Sequence, residues 1–160
     1  MSEHLRAAVA GAVSGLAATL LTSGVMLVAR RAGISGELPP GKIAERAIEE
    51  TTGRDATQDE ERAVAGAAHL GFGAAAGALF GVLVARMRPV PDAASAALGA
   101  LFATGVWLAS YQGWVPLLHI MPPASEDRPG RSATMIVAHW VYGAALGLGT
   151  LRLRDLLGPD

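Results

Sequence analysis

The chain has 160 residues, of which 51% are hydrophobic, 17% charged and 5% aromatic. A formal net charge of -1 offers no basic surface to nucleic acid, and the lack of cysteine removes disulfides, thiolate metal sites and thiol chemistry. The charges avoid four stretches, 7–29, 63–85, 93–125 and 132–151, a segregation unlike that of a soluble helical domain, whose helices carry polar faces.

At a helical rise of ~1.5 Å per residue, stretches 7–29 and 63–85 each reach ~34 Å, enough for a hydrocarbon core of ~30 Å. A segment crossing lipid must satisfy its backbone internally, so each is read as a helix. The first reads as a span rather than a cleaved leader, because Glu3 lies where a leader has a basic head and the apolar run exceeds the usual ~7–15 residues. In the polar connection 30–62, Pro39-Pro40 opens a segment with Ile43, Ala44, Ala47 and Ile48 on one face and Lys42, Glu45, Arg46, Glu49 and Glu50 on the other. Stopped by Gly53, it predicts an amphipathic helix over about 40–52 that lies on the bilayer or caps the bundle. Thr57-Gln58-Asp59-Glu60 fits a capping box, which starts the second membrane helix ahead of its apolar stretch, and Asp92 is the expected cap of the third.

Stretch 93–125 is too long for one span. Gly113-Trp114-Val115-Pro116 is expected to end or kink its helix near the surface, giving a span over about 94–116 and leaving 117–125 along the membrane face. Stretch 132–151 supplies the last span. The whole of 1–160 is thus read as a single membrane domain, an all-α integral membrane four-helix bundle. Both termini then share a side, and the two arginines of the short loop 86–92 assign that side to the cytoplasm.

An internal repeat organises the spans. Ala68-His69-Leu70-Gly71-Phe72-Gly73-Ala74-Ala75-Ala76-Gly77 and Ala138-His139-Trp140-Val141-Tyr142-Gly143-Ala144-Ala145-Leu146-Gly147 agree at six of ten positions, with a further aromatic pair. The odd-numbered spans agree more faintly, through Ala18-Thr19 ahead of Pro39-Pro40 and Ala103-Thr104 ahead of Pro122-Pro123. This reads as two tandem helical hairpins in parallel, related by a pseudo-twofold along the membrane normal. His69, Gly73, Gly77 and Gly81, with Gly66 nearby, share one helix face, as do His139, Gly143 and Gly147. Small residues at four-residue spacing let helix backbones approach closely, so these faces are expected to pack on other helices.

Depth brings the polar residues together. His69 lies seven residues in from Arg62 and His139 eight in from Arg131, ~10 Å into the core from one side. Thr22 and Ser23 of the first span, and Tyr111 and Gln112 of the third, fall near that level. One reading makes this layer interhelical hydrogen-bond glue. The other makes it a site, with His69 and His139 as axial ligands of a haem, as ligands of a metal or pigment, or as hydrogen-bond partners of a quinone. No Asp, Glu, Lys or Arg lies within a span, which weighs against carboxylate-coupled transport. Ser110-Tyr111-Gln112 has no base or nucleophile beside it, and Asp127-Arg128-Pro129-Gly130-Arg131 reads as a solvated charged turn. No catalytic residue, no protein metal site and no cofactor is expected, haem being the alternative.

Several segments together resemble uncharacterised bacterial four-span inner-membrane proteins: Ala17-Ala18-Thr19, Gly36-Glu37-Leu38-Pro39-Pro40-Gly41-Lys42-Ile43, His69-Leu70-Gly71-Phe72-Gly73, Gly113-Trp114-Val115-Pro116, Met121-Pro122-Pro123 and Arg128-Pro129-Gly130-Arg131. A more distant likeness, to the YagU-like inner-membrane family, rests on span number and a Gly-His motif. These resemblances imply location and fold, and no activity. The excess of Arg over Lys, with abundant Ala and Gly, suggests a high-GC bacterial genome. The expectation is a non-enzymatic structural, assembly or accessory subunit of the bacterial inner membrane. Its partners are the lipid bilayer and a second copy or a larger complex, with no nucleic acid; an oligomeric pore or carrier is the more distant reading.

Overall fold

A computed structural model describes residues 2–36 and 38–157. The protein is an all-α, multi-helix membrane-spanning protein: helices Glu3–Arg31, Gln58–Leu83, Asp92–Leu117 and Pro129–Leu156 are long and apolar enough to cross a bilayer. In chain order the elements are α1 (Glu3–Arg31), α2 (Pro39–Thr52), α3 (Gln58–Leu83), α4 (Asp92–Ala109), a π-helical turn (Ser110–Trp114), α5 (Val115–Leu117) and α6 (Pro129–Leu156).

The helix ends follow local chemistry. Ser2 Oγ accepts the Leu5 N–H at the start of α1, while Arg30 and Arg31 sit at its negative end. Pro39 starts α2, where a missing N–H costs nothing, and Gly53 ends it with a left-handed φ of 69°. Thr57 and Glu60 form the reciprocal capping box of α3. Asp92, expected to cap α4, does not: Pro91 holds that position, and the Asp92 carboxylate in the first turn pairs with Arg152 of α6 instead. At the same end of the bundle, the Arg154 guanidinium ties α6 to the end of α3 by donating to the Val84 carbonyl at 2.8 Å.

Packing places α1 and α6 at the centre. α1 lies between α3 and α6, α4 packs on the far side of α6, and α3 and α4 scarcely touch. Two of these interfaces run backbone to backbone. A Cβ added at Gly11 or Gly81 would come within 3.0 Å of the Gly77 or Ala7 carbonyl, and one added at Gly99, Gly143 or Gly147 would meet the facing backbone of α6 or α4 as closely. Lipid tails are as apolar as the helices, so this contact, rather than escape from water, holds the pairs together. Gly73 packs on Thr19 of α1, but Gly66, grouped with this face by spacing, has nothing within 4 Å of its Cβ position.

The turn expected to be solvated is largely buried. The Asp127 and Arg131 side chains are 2% and 11% exposed and pair at 2.9 Å. Arg131 Nε also donates to the Ser35 carbonyl at 3.1 Å, and the Tyr111 hydroxyl donates to the other Asp127 oxygen. The charges leave water because the α1–α2 connection and the end of the third span fold over them and supply hydrogen bonds.

Candidate functional site

α3 and α4 scarcely touch, and where they approach, the Phe80 and Phe102 rings lie 5.3 Å apart. The gap holds a cavity of about 230 Å³. α1 contributes Thr19, Thr22 and Met26 to its wall, and Pro39, Pro40 and Ile43 of α2 lie across one end. α6 contributes Met135, Ala138, His139 and Tyr142. Phe72 of α3 and Trp114 beyond α4 line it and are also exposed on the outside of the bundle.

The Ser110–Trp114 π-turn sets the fourth wall. Gly113 has φ -101° and ψ -105°, outside helical values, and Pro116 lacks the N–H that would continue the ladder. The wider turn puts Tyr111 against the cavity and sends Gln112 outward, where its Oε1 accepts the Ala124 N–H at 2.8 Å. The motif expected to end or kink the helix therefore widens it for one turn before it stops.

Of the expected polar layer, Thr22, His69, Tyr111 and His139 come together on this wall. Gln112 does not. Ser23 bonds the Thr19 carbonyl of its own helix at 2.9 Å and borders a second depression, with Arg30, Glu45, Glu61 and Arg62, whose wall includes the same His69. Among the described residues, no Asp, Glu, Lys or Arg lines the apolar cavity.

The hydroxyls of the cavity are already committed. Thr19 donates to Gly15 O at 2.7 Å, and Thr22 to Ala18 O at 3.0 Å and Ala138 O at 3.3 Å. Ser110 donates to Val106 O at 2.7 Å, Tyr142 to Gly73 O at 2.6 Å, and Tyr111 to Asp127. Of these hydroxyls, those of Tyr142 and Thr22 reach across to another helix, and Trp140 Nε1 likewise donates to Thr104 Oγ1 at 3.1 Å. The imidazoles take no part. His139 Nδ1 lies 2.7 Å from the Met135 carbonyl of its own helix, and His69 Nε2 is buried with no partner among the described residues. A carbonyl only accepts, so His139 Nδ1 carries the proton and its Nε2 presents a lone pair.

Among the described residues no group of three or more His, Cys, Asp or Glu side chains is placed to hold a metal ion. Residues 5–156 match the model of a family of unknown function (DUF6789), and the chain belongs to that family. No curated protein and no solved structure matches it.

Proposed function

We propose that the chain is a non-enzymatic accessory or assembly subunit of the bacterial inner membrane, with cytoplasmic termini, that engages another membrane helix through the outer face of α3. The observation that carries this reading is a second small-residue face on that helix. Ala63, Ala67, Gly71 and Ala75 recur every four residues, all exposed, on the side away from the glycines that meet α1. Against lipid tails such a face gains nothing over larger apolar residues; against a helix it permits backbone approach. The commitment of every cavity hydroxyl to a carbonyl or to Asp127 supports a role without bond-breaking chemistry. The bundle is read as a duplicated hairpin, because Gly73 and Gly77 meet α1 as Gly143 and Gly147 meet α4, at equal offset along the chain.

The cysteine-free sequence makes the test direct. Ala67→Cys and Gly71→Cys, labelled with a maleimide benzophenone in native membranes and illuminated, are expected to crosslink to a second copy or to one partner subunit. Trp140→Cys, exposed on α6, is the control and is expected to label lipid alone. Lipid-only labelling at both α3 positions overturns the association.

A second reading is haem held between His69 and His139. It is supported by their shared cavity and by the free Nε2 of His139, although α3 and α4 must spread to admit a macrocycle to about 230 Å³. Its test is an absorption spectrum of the purified protein, oxidised and then dithionite-reduced. A Soret band lost in His69→Ala and in His139→Ala supports haem, and colourless folded protein removes it.

A further inference from the structure

We propose that the cavity between α3 and α4 is a lateral binding site for a neutral, membrane-soluble molecule bearing a hydroxyl group, an isoprenoid alcohol or a quinol, whose O–H is received by His139 Nε2. This inference is independent of the outer face of α3.

Three observations define the ligand. Neutrality follows from the wall, where no charged side chain among the described residues would pair a carboxylate, phosphate or amine taken out of water. The hydroxyl follows from the tautomer: with Nδ1–H given to the Met135 carbonyl, His139 Nε2 only accepts, so a ketone, ether or hydrocarbon leaves it unused. The second contact is His69 Nε2, a buried nitrogen with no partner on the same wall, where the ligand oxygen completes a bond that the protein leaves unmade.

Size and position agree with this. An apolar cavity of ~150 Å³ accommodates a benzene ring. The about 230 Å³ here takes a ring or the first isoprene units, and the rest of the tail leaves between Phe72 and Trp114 into the bilayer. His69 also borders the charged depression of Glu45, Glu61 and Arg62, so the polar end of the molecule lies at the wetter wall.

The test uses the full chain in phosphatidylcholine nanodiscs, with farnesol, farnesyl methyl ether and a short-tailed ubiquinol kept reduced as probes. Binding is followed by tryptophan fluorescence, Trp114 being in the wall, and by native mass spectrometry. Farnesol or the quinol is expected to bind about tenfold more tightly than the ether, the ratio that one hydrogen bond sets. Which of the two binds identifies the source of the hydroxyl. His139→Ala is expected to abolish the preference, and His139→Gln, which still presents an acceptor, to restore part of it. Should the histidine variants fail to fold, Ala76→Phe fills the cavity from α3 and is expected to abolish binding outright. Equal binding of alcohol and ether by the unaltered protein assigns the cavity to lipid chains and overturns the proposal. So does binding of neither hydroxylated probe, or a Soret band from a resident haem.

Discussion

Replacing Gly143 by Ala puts a methyl group 2.6 Å from the carbonyl carbon of Gly99 and 2.7 Å from Ala100 Cα, separations that real Cβ atoms do not show. The atoms in the way are backbone, so no side chain can rotate aside and α4 must move off α6. Overpacking of this kind costs about 1–3 kcal/mol, and the rigid neighbour favours the upper part of that range. Set against it is the gain from replacing glycine within a helix, roughly 0.5–1 kcal/mol. Gly66→Ala is the internal control: nothing lies within 4 Å of its Cβ position, so only the gain remains. The two substitutions are chemically identical, and the expected difference between them is about 1–3 kcal/mol, up to two powers of ten in the unfolding equilibrium. Reversible unfolding in mixed micelles, followed by energy transfer between labels on α4 and α6, measures both. Equal stability changes at the two sites, or a stabilised Gly143→Ala protein, would refute backbone-to-backbone contact as the source of cohesion.

Tyr142→Phe removes the hydroxyl that donates to the Gly73 carbonyl and is expected to lower stability by roughly 0.6–2 kcal/mol in the same unfolding assay, the range for interhelical bonds in lipid. Asp127→Ala strands the buried Arg131 guanidinium and is expected to cost about 3–5 kcal/mol, with Asp127→Asn milder because it still accepts from Tyr111; a fully stable Asp127→Ala protein would show that water reaches Arg131.

The helices were legible because their signals are local. Charge segregation marks the long apolar stretches, Pro39 and Gly53 frame α2, and Thr57 with Glu60 writes the capping box of α3 within four residues. What escaped the sequence depends on residues far apart. Asp127 and Arg131 look solvated until Ser35 and Tyr111 are seen to fold over them, Ser35 being 96 positions from Arg131. Asp92 looks like a cap until Arg152, 60 positions away, takes its carboxylate. Spacing and depth put polar residues at one level, and Thr22, His69, Tyr111 and His139 do share a wall. The cavity itself is a failure of two helices to meet, and no periodicity within either helix records that. The π-turn that turns Gln112 away from the wall had only Gly113 and Pro116 as its signal, and that pair equally announces a helix end.

The failure to meet has an account in the residues. On the proposed duplication α1 corresponds to α4 and α3 to α6, so the α1–α6 and α3–α4 contacts ought to be alike, yet the first is closed and the second open. Gly15 meets Gly73 as Gly99 meets Gly143, which fixes the register one residue away from the match of Ala18-Thr19 to Ala103-Thr104. In that register Ser14, Ala18 and Thr22 of α1 correspond to Leu98, Phe102 and Val106 of α4. The α1 side is small enough for Ser14 to sit against the Cβ position of Gly149 and for the Thr22 hydroxyl to reach the Ala138 carbonyl. The α4 side carries bulk at the same places, and Phe102 meets Phe80 ring to ring before the helices can close. On that duplication Gly15, Gly73 and Gly77 recur as Gly99, Gly143 and Gly147 and pair the two hairpins alike, while the divergent residues beside them prop one edge apart. The two histidines, matched in sequence, differ in their hydrogen bonding. His139 Nδ1 is held by the Met135 carbonyl of its own helix, and His69 Nε2 has no partner among the described residues, although both rings line the one cavity. On the proposed duplication the cavity thus brings together one histidine from each copy, at a place where the neighbouring residues of α1 and α4 have diverged.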